Sequence, residues 1–173
     1  MGVEELVKFV QEEAHSRIHR GEMHTFSLYD SDTDIATPKQ ISIAPGAVEC
    51  HVVIGISASG ACKVELMEGV VIGTGGSAAA GTALVPYNRD RNSALLPITV
   101  VRENYVLGSS GQVAGTAILT EYIAGATQGA LKAGGQSRQN MEFILKKNVL
   151  TGLRITAIAD NTALSVTMDF YEE

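Results

Sequence analysis

The stretch VECHVVIGISASGACKVELME (residues 48–68) decides the fold. Its first half, 48–57, is rich in β-branched residues, and its second half, 61–68, alternates apolar and polar side chains. Both features are typical of β-strands. Ser59-Gly60 between them is a turn signal. The stretch therefore predicts two consecutive strands that pair as a hairpin.

The same short period recurs along most of the chain. Strands without intervening helices build an antiparallel sheet rather than a βαβ unit. About nine or ten strands in one chain predict a mainly β protein, either an antiparallel β-sandwich or a jelly-roll barrel. The further strand candidates are HTFSLYD (24–30), KQISIAPG (39–46), TALVPY (82–87), PITVV (97–101), TAILTEYI (116–123), EFILKK (142–147), LRITAIAD (153–160) and ALSVTMDFYE (163–172).

The N-terminus has a different period. Apolar residues recur every three or four positions over residues 3–18, with glutamates on the other face, which predicts one amphipathic helix. Gly21 is a plausible stop. The sequence therefore predicts a helical arm over residues 1–20 and a β-sandwich domain over residues 21–173. Among the apolar positions of the arm, Leu6 and Val10 are candidate contacts with a neighbouring subunit, and the alternative is that the arm packs on its own sandwich.

Composition excludes several classes of partner. The 173-residue chain has a formal net charge of −6 and no basic run, which argues against nucleic acid and against an anionic membrane surface. It contains no stretch of about 18 apolar residues of the kind that spans a bilayer. The N-terminal residues lack the basic start and apolar core of a secretory signal. We expect synthesis in a cytoplasm.

The glycine-rich stretch GVVIGTGGSAAAG (residues 69–81) raises the possibility of a nucleotide site. Residues 73–78 fit a loose G-x-G-x-x-A pattern, but a dinucleotide needs a helix directly after it to hold the pyrophosphate. Gly81 and Pro86 leave too little room for that helix, and no Gly-Lys-Ser/Thr follows for a P-loop. The stretch is interpreted as a flexible connection, so no cofactor is expected.

The histidines and acids suggest little chemistry. His15 and His19 stand four apart on the predicted helix and could share a zinc ion, but no zincin glutamate lies between them, and they are interpreted as solvated. His51 lies in an apolar strand without an obvious acid partner. The acidic run DSDTD (30–34) lacks the glycine and late glutamate of a calcium loop and is interpreted as a turn. No serine sits in a Gly-x-Ser-x-Gly elbow. The sequence predicts no metal site, no catalytic residue and no enzyme activity.

Two features leave alternatives open. Cys50 and Cys62 could form a disulfide if they lie on neighbouring antiparallel strands, although two buried thiols are the simpler interpretation. The polar run of residues 88–93 could tie a long loop to a neighbouring strand or subunit, or could be solvated. Its candidate contact residues are Asn88, Arg89, Arg91 and Asn92.

Six stretches follow one another in a recognisable order: GEMHTFSLYD (21–30), ISI (41–43), HVVIGIS (51–57), VELMEGVVI (64–72), GTALVPYNRDRNS (81–93) and EFILKKNVLTGLRITAIADNTALSVTMDFYE (142–172). They cover most of residues 15–173. Together they resemble a family of tailed-bacteriophage structural proteins, the capsid decoration (cement) or head-associated proteins. The segment at 81–93 is the most specific of them, and the C-terminal pair of strands is next.

The resemblance implies a non-enzymatic virion protein that attaches to the outer surface of a capsid and stiffens it. Its implied partner is the major capsid protein, and it also implies self-association, most often as a trimer and otherwise as a dimer. The alternative is a receptor- or carbohydrate-binding module of a head or tail fibre. The absence of Trp and the 5% aromatic content disfavour that alternative, because sugar sites usually use exposed aromatic rings.

Overall fold

The computed structural model of this chain describes residues 15–35, 37–71, 81–103, 115–124, 135–136 and 142–173. Residues 15–19 form a short helix, α1, and most of the remaining described chain is β-strand. The strands are β1 (His24–Thr33), β2 (Lys39–Ala44), β3 (Cys50–Ala58), β4 (Cys62–Glu68), β5 (Thr82–Leu84), β6 (Tyr87–Asn88), β7 (Val100–Glu103), β8 (Thr116–Ile123), β9 (Gly135–Gln136), β10 (Glu142–Leu145), β11 (Thr151–Ala157) and β12 (Thr162–Glu172).

The strands form two antiparallel sheets that pack face to face as a β-sandwich. The first sheet has the order β10-β3-β12-β1-β6, with β9 beside β3, and the second has the order β5-β7-β2-β11-β4-β8. Eight of these strands follow the jelly-roll order, with β10-β3-β12-β1 side by side in the first sheet and β2-β11-β4-β8 side by side in the second. The predicted mainly β sandwich with one N-terminal helix is confirmed.

The predicted hairpin over residues 48–68 is wrong. The strands β3 and β4 lie in different sheets, so Ser59-Gly60 forms a corner that carries the chain across the sandwich. The corner between β11 and β12 packs against it, because Ser59 N–H donates to Ala163 O at 2.8 Å and Ala163 N–H donates back to Ser59 Oγ at 2.8 Å. A Cβ at Gly60 would overlap the Thr162 side chain, so a glycine lets the two corners meet.

The core lies between the two inward faces. On β3 and β12, alternate side chains point inward, which produces the period-two pattern seen in the sequence. Cys50 and Cys62 belong to this core as free thiols on strands of opposite sheets. Burial raises the pKa of the Cys50 thiol to about 11. The largest fully buried side chains are Phe170, Ile41, Ile43, Leu66, Leu145, Leu153, Ile155, Leu164, Met168, Val52 and Val64.

One segment differs from the sequence prediction, and one lies mostly outside the described residues. The acidic run 30–34 is largely strand rather than turn, because β1 continues to Thr33 with a register irregularity after Asp30. The described part of the arm is α1 alone, since residues 1–14, with Leu6 and Val10, lie outside the described residues. No helix among the described residues is both long enough and apolar enough to cross a membrane.

Candidate functional site

Asn88 anchors the loop that follows it. It lies on β6, is buried, and its Nδ2 donates to Gly21 O at 2.6 Å and to Leu95 O at 3.3 Å. Its Oδ1 accepts from the backbone N–H of Asp90 at 2.9 Å. This candidate contact residue is therefore used inside its own chain, where it ties the start of the loop to its end.

The other three candidates lie at the surface of the same loop. Arg89 pairs with Asp169 of β12 at 3.3 Å, which ties the loop to a strand of its own first sheet. The Arg91 guanidinium lies 5.2 Å from the centre of the Tyr87 ring. Asn92 is exposed, and its backbone N–H donates to Asp90 Oδ1 at 2.9 Å. Arg91 and Asn92 are the members of the predicted set that remain available to a partner.

Residues before and after Asn88 together present an apolar surface that was not predicted from the sequence. Four large apolar side chains are between 56% and 81% exposed and line one open groove of about 220 Å³. Asp90 and Arg91 line the same groove. An apolar surface with a polar margin is typical of a protein-binding site. We call this surface the apolar rim; its members are Val85, Tyr87, Leu95 and Leu96.

Contacts at both ends hold the apolar rim in place. His24 Nε2 lies 3.2 Å from Leu95 O, and the Leu95 N–H donates to Ser93 Oγ at 3.2 Å. Gly21 has a φ of +71°, and a Cβ there would overlap the Ser93 side chain, so only glycine fits beneath the loop. After the apolar rim in the chain, the Ile98 N–H donates to the Glu172 carboxylate at 2.9 Å. A loop fixed in this way loses little conformational entropy on binding.

A second polar cluster lies on the outer face of the first sheet. Tyr171 is opposite His51 in the β3–β12 register, and their rings stack with centroids 4.4 Å apart. The Tyr171 hydroxyl and His51 Nδ1 donate to Glu142 Oε1 at 2.7 and 2.8 Å. The sequence showed no acid partner for His51 because Glu142 is 91 residues away on β10. The pairing of β10 with β3 brings them together.

Arg17 closes this cluster from α1. Its guanidinium lies 3.9 Å from the centre of the Tyr171 ring and forms an ion pair with Glu173. Partial burial and the adjacent Glu142 carboxylate raise the pKa of Tyr171, so its hydroxyl keeps its proton. The cluster therefore fixes α1 on the sheet. Among the described residues, no group of three or more His, Cys, Asp or Glu side chains could hold a metal ion.

Glu65 forms a third cluster on the outer face of the second sheet. It is only 8% exposed, and its Oε2 accepts from Arg154 Nε at 2.9 Å and Nη2 at 2.7 Å. Lys63 Nζ lies 2.7 Å from its other oxygen. Burial raises the pKa of this carboxyl, but the hydrogen bonds from Lys63 and Arg154 outweigh burial and lower it.

We expect the free energy of unfolding to fall as the pH drops below about 4.5. Partial burial raises the pKa of Glu142, but hydrogen bonds from Tyr171 and His51 outweigh burial and lower this pKa below the ordinary value of 4.5. The hydrogen bonds to Glu65 lower its pKa in the same way. The Asp32 N–H likewise lowers the pKa of Asp30. The unfolded chain therefore binds more protons in this window. These groups stabilise the fold above their unfolded pKa values, and that stability is lost as the pH falls through the folded ones.

Urea unfolding at pH 7, 5, 4 and 3 measures this dependence. The variants Glu65→Gln and Glu142→Gln should each show a shallower fall in midpoint than the wild type. A midpoint that stays constant down to pH 3 would contradict the assignment.

The remaining motif lies mostly outside the described chain. Residues 72–80, the centre of the glycine-rich stretch, are not among the described residues, so its interpretation as a connection stays a prediction. At its start, Gly69 has a φ of +73°, and the N–H groups of Gly69 and Val70 both donate to Leu150 O.

Comparison of the chain with protein-family models, with curated proteins and with solved structures finds no match.

Proposed function

We propose that this protein is a non-enzymatic structural component of a phage virion. It binds the outer surface of the capsid through the apolar rim and stabilises contacts between major capsid protein subunits. The observation that carries this proposal is the exposure of four large apolar side chains around one groove, two before Asn88 and two on the fixed loop after it.

The chemistry of the apolar rim favours a protein partner. Burying such side chains against another surface is favourable, at about 25 cal/mol per Å² of apolar area. Tyr and Arg are the residue types most enriched among binding hot spots, and Tyr87 and Arg91 lie side by side at the groove. The rigid sandwich behind the loop transmits load from one bound subunit to the next.

The fold and the resemblance are compatible with this role. Jelly-roll sandwiches recur in viral capsid proteins and also in lectins, so the architecture alone does not select a function. The quoted stretches that resemble decoration proteins include residues 81–93, which contain Val85 and Tyr87 of the apolar rim. Self-association as a trimer, location on the capsid surface, and capsid contacts by Leu6 and Val10 belong to the same proposal.

A carbohydrate-binding module of a fibre is the second candidate, and one observation favours it. Tyr87 is 58% exposed beside Asp90 and Arg91 in the groove, and an aromatic ring with polar neighbours is able to stack on a sugar. A glycan array separates the two candidates: reproducible binding to one sugar class would replace the capsid proposal.

The stiffening role is tested by capsid stability. Empty capsids assembled from the major capsid protein encoded in the same genome would be heated with and without saturating protein, and their disruption followed by light scattering. We expect disruption at a higher temperature in the presence of the protein, because its binding energy must be lost before the joints open. An unchanged disruption temperature at saturation would contradict the role.

A further inference from the structure

His15 and His19 lie one helical turn apart on α1, and their rings meet. The two Nε2 atoms are 3.0 Å apart, and the ring centroids are 4.4 Å apart. Both side chains are exposed. The sequence predicts a solvated pair, but an i, i+4 spacing puts two imidazoles on one helix face, as in helical zinc motifs.

We propose that this pair is a binding site for a divalent transition-metal ion of the Ni²⁺, Cu²⁺ or Zn²⁺ class. Histidine nitrogens bind such an ion at about 2.0–2.1 Å. If the N–metal–N angle lies between a right angle and the tetrahedral angle, the two nitrogens are about 2.9–3.4 Å apart. The observed 3.0 Å falls within that range. An ion can therefore enter between the rings without a rearrangement of the helix.

The close approach of the two rings is a hydrogen bond, in which one Nε2–H donates to the other Nε2 at 3.0 Å. The ring centroids are 4.4 Å apart with the ring planes at 85°, whereas a fully linear N–H···N bond would hold them about 5 Å apart. The rings are therefore inclined to the line between the nitrogens, which is the arrangement that two ligands of one ion adopt. A metal ion that binds both nitrogens takes the place of the proton between them.

The surroundings tolerate a cation. Arg17 and Arg20 share the helix, but Arg17 is paired with Glu173 and Glu22, and Arg20 with Glu22, so carboxylates offset their charge. Among the described residues, no third side chain lies close enough to this pair to bind the same ion, so water would fill the other coordination positions. For imidazole ligands the affinity should rank Cu²⁺ above Ni²⁺.

The other two histidines of the chain do not compete for the ion. His24 is 4% exposed, and its Nε2 faces Leu95 O. The His51 side chain is 11% exposed and is hydrogen-bonded to Glu142. Metal binding through histidine should therefore depend on His15 and His19 together.

The test is a calorimetric titration of the untagged full-length protein with NiCl₂. The matched control is the double variant H19R/R20H, which keeps the composition but changes the spacing from four residues to five. That spacing puts the rings on different helix faces. We expect the wild type to bind one Ni²⁺ and the double variant to bind at least about tenfold more weakly, because its second ligand no longer reaches the same ion.

Single variants keep the test decisive. His15→Ala and His19→Ala should each weaken Ni²⁺ binding as the spacing variant does, whereas Ser16→Ala on the same helix should leave it unchanged. Urea unfolding verifies that each variant is folded. The proposal is overturned if the wild type binds no Ni²⁺, or if the spacing variant binds it as tightly as the wild type.

Discussion

Phe170→Ala is expected to lower the free energy of unfolding by about 3–5 kcal/mol, the cost of deleting a buried phenyl ring. Phe170 has no exposed surface, and its strand β12 lies between β1 and β3 in the middle of the first sheet. Its ring stacks on His24, with centroids 5.6 Å apart. Removal of the ring leaves a cavity and removes the side chain on which His24 packs, so the contact of His24 with Leu95 O is weakened as well.

Urea unfolding of the purified variant measures the loss. Tyr29→Ala is the matched control, because Tyr29 lies on β1 of the same sheet but is 70% exposed, and we expect it to change stability by less than about 0.5 kcal/mol. Equal stabilities of the two variants would mean that the core is not where the fold places it.

Leu96→Asp is expected to weaken capsid binding at least about thirtyfold, because truncation of a hot-spot residue costs about 2 kcal/mol or more and a buried charge adds to it. Leu96 is 81% exposed, so the isolated protein should be as stable as the wild type. Sedimentation of the variant with empty capsids, over a range of protein concentrations, gives the affinity.

The matched control for this variant is Ile158→Asp. Ile158 is also an exposed aliphatic residue, but it lies in the corner after β11, next to the Thr33 end of β1, whereas the apolar rim lies next to the His24 end. We expect this control to bind capsids like the wild type. If both variants bind normally, the apolar rim is not the docking surface; if both fail, the loss is not specific to it.

The fold class could be predicted because burial on one face leaves a period of two in the sequence. On β3 the inward residues alternate without interruption from Cys50 to Ala58, and β12 repeats the pattern. Strand pairing could not be predicted in the same way. A Ser-Gly turn is compatible with a hairpin and with a corner between sheets, and it is a corner here because β3 pairs with β12 and β4 with β11.

The candidate site was only partly accessible from sequence. The polar run at 88–93 was recognisable from the sequence. One of the alternatives left open for it was an attachment of the loop to a neighbouring strand, and the ion pair between Arg89 and Asp169 is such an attachment. Leu95 and Leu96 were missed because they directly precede an apolar strand pattern, which normally indicates burial. Glu142 was missed because the pairing of β10 with β3 joins residues far apart in the chain.

Sedimentation of the wild-type protein with empty capsids, assembled from the major capsid protein encoded in the same genome, decides whether this protein binds a capsid. We expect saturable co-sedimentation at a fixed number of copies per capsid, with the apolar rim protected from hydrogen exchange in the pellet. Protein that stays in the supernatant at every concentration would mean that the apolar rim does not dock on the capsid.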